Sequence, residues 1–252
     1  MFSKLGFFRF VANYNKPIES LESAIKAHCD VSDSLIVLPE AFNISKYYRD
    51  AGDCDYSRDI LDQLRAVAGK GDVTLVAGLI VEEPDGPTPP YSSAYLIDGS
   101  GAAVICRKHG ADFSGAPPLT PENVRTHWNV PISERIRFSN YTPCEAASNT
   151  ANPLKHQGAS IAAIICMDCD LPYVFRPIEE RFSMMAGPKI VCIPACMNSV
   201  YLDDAIAATW PEQYVILANS DSHGCRSFIS KEGTIMMRDN HESENTIVLC
   251  AP

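Results

Sequence analysis

The sequence predicts a single layered α/β domain. Segments with strand-like and helix-like patterns alternate along the whole 252-residue chain, as in sheets covered by helices. Several of the strand-like segments are apolar at every position, which is typical of strands buried on both faces. No Ser/Gly-rich linker or long repeat divides the chain. We therefore treat residues 1–252 as one domain.

Apolar runs and turn signals place the elements in order. Helices are predicted at residues 17–28, 58–68, 173–185 and 205–213, and the first begins with Pro17, a normal first-turn residue. Residues 82–90 are rich in proline and predict a surface connection, whereas residues 110–133 lack periodicity and have the length of a lid or an insert. Strands are predicted at residues 6–11, 34–38, 73–81, 93–97, 103–106, 161–165, 189–194, 214–219, 226–229, 234–237 and 246–250.

The charge of the chain excludes some classes of partner. The formal net charge is −10, and the acidic residues are spread along the sequence. Such a surface disfavours nucleic acid. No apolar run approaches the roughly 20 residues of a membrane span, and the N-terminal residues do not form a secretory signal. We expect a cytoplasmic protein without a nucleic-acid or membrane partner.

The ten cysteines predict buried thiols instead of disulfides or a metal site. Cys106, Cys192 and Cys250 lie in apolar strand-like runs, and no secretory signal is present. The spacing of Cys166, Cys169, Cys192 and Cys196 resembles a set of zinc ligands. Structural zinc ligands usually lie on tight turns, however, whereas Cys192 lies within a predicted core strand. We therefore expect neither a metal nor a cofactor.

Three reactive side chains follow predicted buried strands. Glu40 follows the strand at 34–38, Lys108 follows the strand at 103–106, and Cys166 follows the strand at 161–165. Ligands often meet catalytic groups at the carboxyl ends of strands in α/β proteins. Taken alone, each residue has an ordinary explanation, since the charged groups can be solvated and the thiol can pack in the core. Together, they supply a base, a cation and a nucleophile.

These residues also carry a resemblance to a known family. The chain resembles the nitrilase superfamily of carbon–nitrogen hydrolases, which has a Glu, Lys, Cys order. The matching stretches run through nearly the whole chain in the family order. They are 35–40 (LIVLPE), 106–108 (CRK), 164–168 (IICMD) with 171–172 (LP), and 205–219 (AIAATWPEQYVILAN).

The resemblance implies a fold and a role for each residue. It implies a four-layer α-β-β-α sandwich that commonly forms dimers through its helices. Glu40 corresponds to the general base, Lys108 to the lysine that stabilises the oxyanion, and Cys166 to the nucleophile. The backbone N–H of Met167 corresponds to a second oxyanion donor.

Many members of the superfamily carry a second glutamate between the lysine and the cysteine. Glu122 is our match for it, because it lies in a Thr-Pro-Glu turn of the intervening loop. Glu145 is an alternative that the spacing does not exclude.

The resemblance also favours a class of substrate. Members that cleave nitriles typically have Trp-Glu after the nucleophile, whereas Met167 and Asp168 follow it here. This favours hydrolysis of a small amide or N-carbamoyl compound through a cysteine thioester, with nitrile hydrolysis as an alternative. A catalytically silent scaffold or small-molecule binder is the alternative from another class. We expect the substrate pocket to be lined by Tyr47, Glu122, Trp128, Met197 and Asn198, which offer aromatic and hydrogen-bonding surface without an arginine.

Overall fold

A computed structural model of the chain describes residues 1–10, 16–43, 57–82, 92–108, 153–170, 172–197, 203–220, 226–239 and 245–252. Within these ranges the chain forms helices α1 Pro17–Ala27, α2 Asp59–Gly71, α3 Pro172–Ser183 and α4 Asp203–Thr209, and a 3-10 helix at Cys166–Asp170. The strands are β1 Lys4–Arg9, β2 Ser34–Leu38, β3 Val73–Ile80, β4 Ser92–Ile97, β5 Ala102–Arg107, β6 Leu154–His156, β7 Ala159–Ala163, β8 Lys189–Ala195, β9 Tyr214–Asn219, β10 Phe228–Lys231, β11 Thr234–Arg238 and β12 Thr246–Cys250.

The strands form two mixed sheets. The first has the order β12-β1-β2-β3-β4-β5 and the second has the order β11-β10-β9-β8-β7-β6. At the centre of the first sheet β1, β2 and β3 are parallel, and at the centre of the second β7, β8 and β9 are parallel. The carboxyl ends of parallel neighbours emerge at the same edge of a sheet. Each sheet therefore presents several chain turns at one edge, where ligands commonly bind in α/β folds.

The two sheets pack face to face, with helices on their outer faces. β1 and β2 contact β9, and β3 contacts β8, around a shared apolar core. On the outside of the first sheet α1 and α2 bury residues such as Leu21 and Leu64. On the outside of the second sheet α3 contributes Phe175 and Ile178, and Phe175 meets Trp210 edge to face. The result is the predicted α-β-β-α layering.

Local sequence explains the ends of the helices. Pro17 stands at the start of α1, where its missing N–H costs no helical hydrogen bond. Asp72 caps the end of α2 in the left-handed region with φ 51°, a conformation that Asp tolerates better than most residues. Within α2 the apolar residues Leu61, Leu64 and Ala68 are buried, and their spacing of three and four places them on one face.

The structure differs from the sequence prediction in several elements, among them β6, β7 and α4. β6 was not predicted, and it is a three-residue strand that pairs antiparallel with β7. β7 ends at Ala163, two residues before the end of the apolar run, although Ile164 and Ile165 are fully buried. The helix predicted at 205–213 is α4 and ends at Thr209, because Pro211 disfavours helical backbone at Trp210. Among the described helices, none is long and apolar enough to cross a membrane.

Candidate active site

Cys166 lies just beyond β7, at the point where the strand passes into the 3-10 helix. Its φ is +53°, a left-handed conformation that costs a non-glycine residue free energy and persists only when the surrounding structure imposes it. The amide of Ile164 donates to the carbonyl of Cys192 at 3.0 Å, and the amide of Asp168 donates to the carbonyl of Ile165 at 3.1 Å. The chain is therefore held on both sides of Cys166, and the strained residue turns away from the line of the strand.

The thiol of Cys166 is buried among charged groups. Burial raises its pKa above the ordinary value, and the Glu40 carboxylate raises it further. The Lys108 ammonium and a hydrogen bond from the backbone N–H of Cys196 act in the opposite direction, but they do not offset the burial. Since the pKa remains raised, the thiol is protonated at neutral pH. A nucleophilic reaction at Cys166 therefore requires a group that accepts its proton.

Glu40 is the carboxylate beside this thiol. It follows β2 and its side chain is 1% exposed. Its Oε1 atom accepts hydrogen bonds from Lys108 Nζ at 2.7 Å and from Ser92 Oγ at 3.1 Å. A buried carboxylate is costly unless it is paired and hydrogen-bonded, and these two contacts meet that requirement. Lys108 is the partly exposed member of the ion pair, with 19% of its side chain accessible.

A glycine in β3 brings the two sheets together at this point. A Cβ atom added to Gly78 would lie 2.7 Å from Glu40 Cα and 2.7 Å from Pro194 Cβ, distances that real Cβ contacts do not reach. The backbone amide of Glu40 also donates to the carbonyl of Ala195, at 3.3 Å. β3 therefore packs closely against both Glu40 and Pro194. This packing sets where the backbone of Glu40 lies against the second sheet.

The segment beside the thiol is held by a buried asparagine at the end of β9. Asn219 Oδ1 accepts from the amide of Met197 at 2.6 Å, and Asn219 Nδ2 donates to the carbonyl of Met197 at 2.9 Å. The backbone N–H of Asn219 donates to Ser227 Oγ at 2.9 Å. Two hydrogen bonds to one residue fix the backbone at Met197, and hence the position of the preceding Cys196 N–H that reaches the thiol.

The structure brings the three predicted strand-end residues into one neighbourhood, with Glu40 and Lys108 in contact and both within electrostatic range of Cys166. Met197 is also nearby, but its side chain is 3% exposed and packs in the apolar core. The backbone of Met167 lies in the 3-10 helix. The other predicted site residues lie outside the described residues, as does the alternative second glutamate; they are Tyr47, Glu122, Trp128, Asn198 and Glu145.

Three residues that shape this site were not predicted from the sequence. Asn219 ends a buried strand, which is the same signal that identified Glu40 and Cys166. Gly78 lies inside an apolar strand, where an isolated glycine indicates close backbone approach. Ser92 gives no such signal, because its contact with Glu40 depends on how β3, which lies between β2 and β4, places the β4–β5 hairpin.

A family model described as carbon–nitrogen hydrolase matches residues 8–181. The chain belongs to the carbon–nitrogen hydrolase family. This membership confirms the resemblance found in the sequence and makes the chain a hydrolase of C–N bonds at the level of family. A search of curated proteins found no match.

Solved structures of nitrilase-superfamily proteins share the fold. An amidase from Nesterenkonia sp. has a TM-score of 0.64 and 18% identity, covering 99% of this chain and 89% of its own. Nit3 of Saccharomyces cerevisiae, a member of branch 10 of the superfamily, has a TM-score of 0.63 and 18% identity, with 99% and 90% covered. These similarities confirm the nitrilase-type sandwich.

A variant of the bacterial amidase bears on the chemistry of its active-site cysteine. A glutamate-to-glutamine mutant of the amidase from Nesterenkonia sp. AN1 shows the result of Michael addition of acrylamide at that cysteine. This structure has a TM-score of 0.63 and 17% identity to the present chain, and covers 98% of this chain and 91% of its own.

Proposed function

We propose that the protein hydrolyses the non-peptide C–N bond of a small amide or N-carbamoyl compound through a thioester on Cys166. The observation that carries the proposal is the buried contact of Lys108 Nζ with Glu40 Oε1, 2.7 Å long, beside a thiol whose pKa is raised. A protonated thiol is a poor nucleophile, so its proton must leave as it attacks. Glu40 is the adjacent carboxylate that can accept it.

The first half of the reaction forms the thioester. Cys166 Sγ attacks the carbonyl carbon, and its proton passes to Glu40. Lys108 and the backbone N–H of Met167 stabilise the oxyanion. Met167 lies in the first turn of the 3-10 helix, where backbone N–H groups lack partners within the helix. The C–N bond then breaks, and Glu40 returns the proton to the leaving nitrogen, which departs as ammonia or an amine.

The second half of the reaction releases the acid. Water attacks the thioester carbonyl and gives a proton to Glu40. The C–S bond breaks, the thiolate of Cys166 regains the proton, and the carboxylic or carbamic acid departs. Glu40 therefore acts alternately as base and acid, and no cofactor is required for either half.

The residues after the nucleophile support amides over nitriles. Met167 and Asp168 stand where nitrile-cleaving relatives typically carry Trp and Glu. The Nesterenkonia protein is an amidase, which agrees with this choice. We place Tyr47, Glu122, Trp128 and Asn198 in the pocket together with the backbone of Met197, and its aromatic and hydrogen-bonding surface suits a small neutral amide.

The test is release of ammonia or amine from a panel of aliphatic amides, ω-amides, N-carbamoyl compounds and nitriles, with the Cys166→Ala variant as the blank. We expect turnover of amides or N-carbamoyl compounds by the wild type and none by the blank. Preferential turnover of nitriles would overturn the choice of substrate class. Release of neither ammonia nor amine from any compound would favour the silent scaffold.

Acrylamide makes the panel more informative because it presents two electrophilic carbons. Attack at its carbonyl carbon releases ammonia, whereas attack at its β-carbon leaves a permanent thioether on the thiol. We expect the wild type to favour the carbonyl carbon, since only acyl transfer uses Glu40 a second time, as the acid that protonates the leaving nitrogen. Ammonia assays and intact-mass spectrometry measure the two products in one sample.

We also propose that the protein acts in the cytoplasm as a homodimer or a higher even-numbered assembly. The support is the family resemblance, since relatives pair through a helical layer. Light scattering at micromolar concentration tests the assembly, and a monomer alone would contradict it.

A further inference from the structure

Two donors from one hairpin bind the same oxygen of Glu40. Ser92 Oγ and Lys108 Nζ both donate to Oε1, at 3.1 and 2.7 Å. Within the part of the chain that the structure describes, no hydrogen bond reaches Oε2. The carboxylate is therefore held at one oxygen and left available at the other.

Ser92 is itself firmly placed. It is the first residue of β4 and is 8% exposed. Its backbone carbonyl accepts from the amide of Lys108 at 2.8 Å, so the two donors lie opposite each other at the open end of the β4–β5 hairpin. Because the two residues are paired in one hairpin, their backbones approach Glu40 at a fixed separation.

The serine restricts the orientation of the Glu40 carboxylate in a way that the lysine does not. The terminal torsion of a glutamate has a broad minimum, and a lysine on a flexible four-carbon stem adapts as the carboxylate turns. The short Ser92 side chain has no such reach, so its hydrogen bond to a charged acceptor restricts the plane of the carboxylate. It also shares the stabilisation of the charge on Oε1 with Lys108.

We infer that Ser92 is a positioning residue that fixes Oε1 of Glu40, so that Oε2 is the atom that takes the Cys166 proton and returns it to the leaving nitrogen. The inference rests on the proposed function and adds to it a residue that acts through Glu40. A positioning role differs from a purely structural one. In a purely structural role the hydroxyl only hydrogen-bonds the buried carboxylate, and its removal lowers the free energy of unfolding without changing kcat.

The experiment compares substitutions at two adjacent serines with acrylamide as the probe. Ser92→Ala removes the donor, and Ser92→Thr keeps it. Ser93→Ala makes the same change one residue along the strand, where the side chain points to the opposite face and is also buried. The readouts are kcat and KM for ammonia release, the amount of thioether on Cys166, and the guanidinium unfolding midpoint.

We expect Ser92→Ala to lower kcat about tenfold, the size expected for one hydrogen bond to a charged group, while KM stays within about twofold. The share of thioether product should rise, because a misplaced carboxylate no longer favours acyl transfer. Ser92→Thr should restore most of the wild-type kcat, and Ser93→Ala should match the wild type. If the Ala variant does not fold, Ser92→Thr and Ser92→Val give the same comparison, since they share a shape and differ in the hydroxyl.

Two results would overturn the inference. One is a wild-type kcat and product ratio in Ser92→Ala. The other is an equal fall in kcat for Ser92→Ala and Ser93→Ala, which would indicate a general effect on the strand. If the wild type releases no ammonia from acrylamide or from any other compound of the panel, the proposed function fails and the thioether still tests Ser92. A several-fold difference in its rate of formation between the two alanine variants would then support positioning, and equal rates would overturn it.

Discussion

Polar groups lie at both ends of the stacked sheets, but their surroundings differ between the two ends. At the carboxyl-end edge Glu40 is almost fully buried, pairs with Lys108 and lies beside the strained Cys166. At the opposite edge His156 of β6 reaches across to Thr74 of β3, with Nε2 and Oγ1 3.2 Å apart. There the ring of His156 also lies 6.1 Å from that of Phe2, measured between centroids.

The carboxylate at each edge shows the difference. Near His156, Asp98 Oδ1 accepts from the amide and hydroxyl of Ser100 at 2.7 and 2.6 Å and from the amide of Gly101 at 2.9 Å. Burial opposes ionisation of Asp98, but these hydrogen bonds outweigh it and hold its pKa below the ordinary value. Because the donors to Asp98 come from its own turn, these hydrogen bonds stabilise the turn. Glu40 receives its donors from distant strands, and we attribute the chemistry to that edge.

Matched substitutions at Glu40 and Asp98 should give the largest difference in ammonia release between the two edges. Glu40→Gln removes the proposed base, and we expect ammonia release to fall by about a thousandfold while Cys166 still forms a thioether with acrylamide. Asp98→Asn changes the other edge in the same chemical way and should leave ammonia release within about twofold of the wild type, because general acid–base chemistry does not involve it. Similar losses in the two variants would remove the distinction between the edges.

Gly78 tests whether the carboxyl-end edge depends on close packing. Gly78→Ala places a methyl group against the backbone of Glu40 and the ring of Pro194, and overpacking of this kind costs roughly 1–3 kcal/mol in the free energy of unfolding. We also expect lower ammonia release, because Glu40 must move. Gly101→Ala is the control, since its Cβ would have no neighbour within 4 Å. Guanidinium denaturation measures the stability of both variants. Equal stabilities of Gly78→Ala and Gly101→Ala would contradict the packing argument.

Three buried thiols predict a loss of stability in alkaline solution. Burial raises the pKa of Cys106, Cys166 and Cys192. The folded state therefore holds these protons more tightly than the unfolded state, in which thiols titrate near 8.5. Their contribution to stability is complete below about pH 8.5 and falls above it, by up to about 1.4 kcal/mol per pH unit for each thiol.

Cys192→Ala isolates one of these thiols, because burial is the sole cause of its raised pKa. Denaturation under reducing conditions from pH 7 to 10 should show a shallower loss of stability for this variant than for the wild type. Val191→Ala on the same strand is the control for lost packing, and should lower stability by a similar amount at each pH. Parallel curves for Cys192→Ala and the wild type would contradict the prediction.

The smallest effect is expected at the edge away from the candidate site. His156→Ala removes the contact with Thr74 and the ring contact with Phe2, while Thr74 keeps a hydrogen bond from Gln157 at 3.4 Å. We expect the free energy of unfolding to fall by about 1 kcal/mol with an unchanged kcat for ammonia release. A marked loss of kcat would show that the two edges are coupled.

Much of this arrangement could be predicted from local sequence. The bounds of β2, β9 and β12 agree with the predicted strands, because each is an apolar run between clear turn signals. Glu40 and Cys166 were found for the same reason, since a reactive group directly after a buried run is conspicuous. The 3-10 helix after β7 was not predicted, because burial continues through Ile165 after strand pairing has ended.

The remaining features depend on long-range pairing. β12 pairs with β1 across almost the whole chain, and β6 is a strand only because β7 lies beside it. Ser92 reaches Glu40 through the register of the β4–β5 pair, which shifts between Ala94 and Tyr95. Such contacts arise from tertiary geometry, and a local pattern of apolar and polar residues carries no information about them.

The acyl thioester on Cys166 is the central claim, and rapid-quench mass spectrometry tests it most directly. The enzyme is mixed with the amide that it turns over best, quenched in acid within milliseconds, digested and mapped for an acyl group. We predict an acyl group on Cys166, absent in Cys166→Ala, and retention of most activity in Cys169→Ala, whose thiol lies in the same 3-10 helix. An acyl group on Cys169, or ammonia release by Cys166→Ala, would contradict the account.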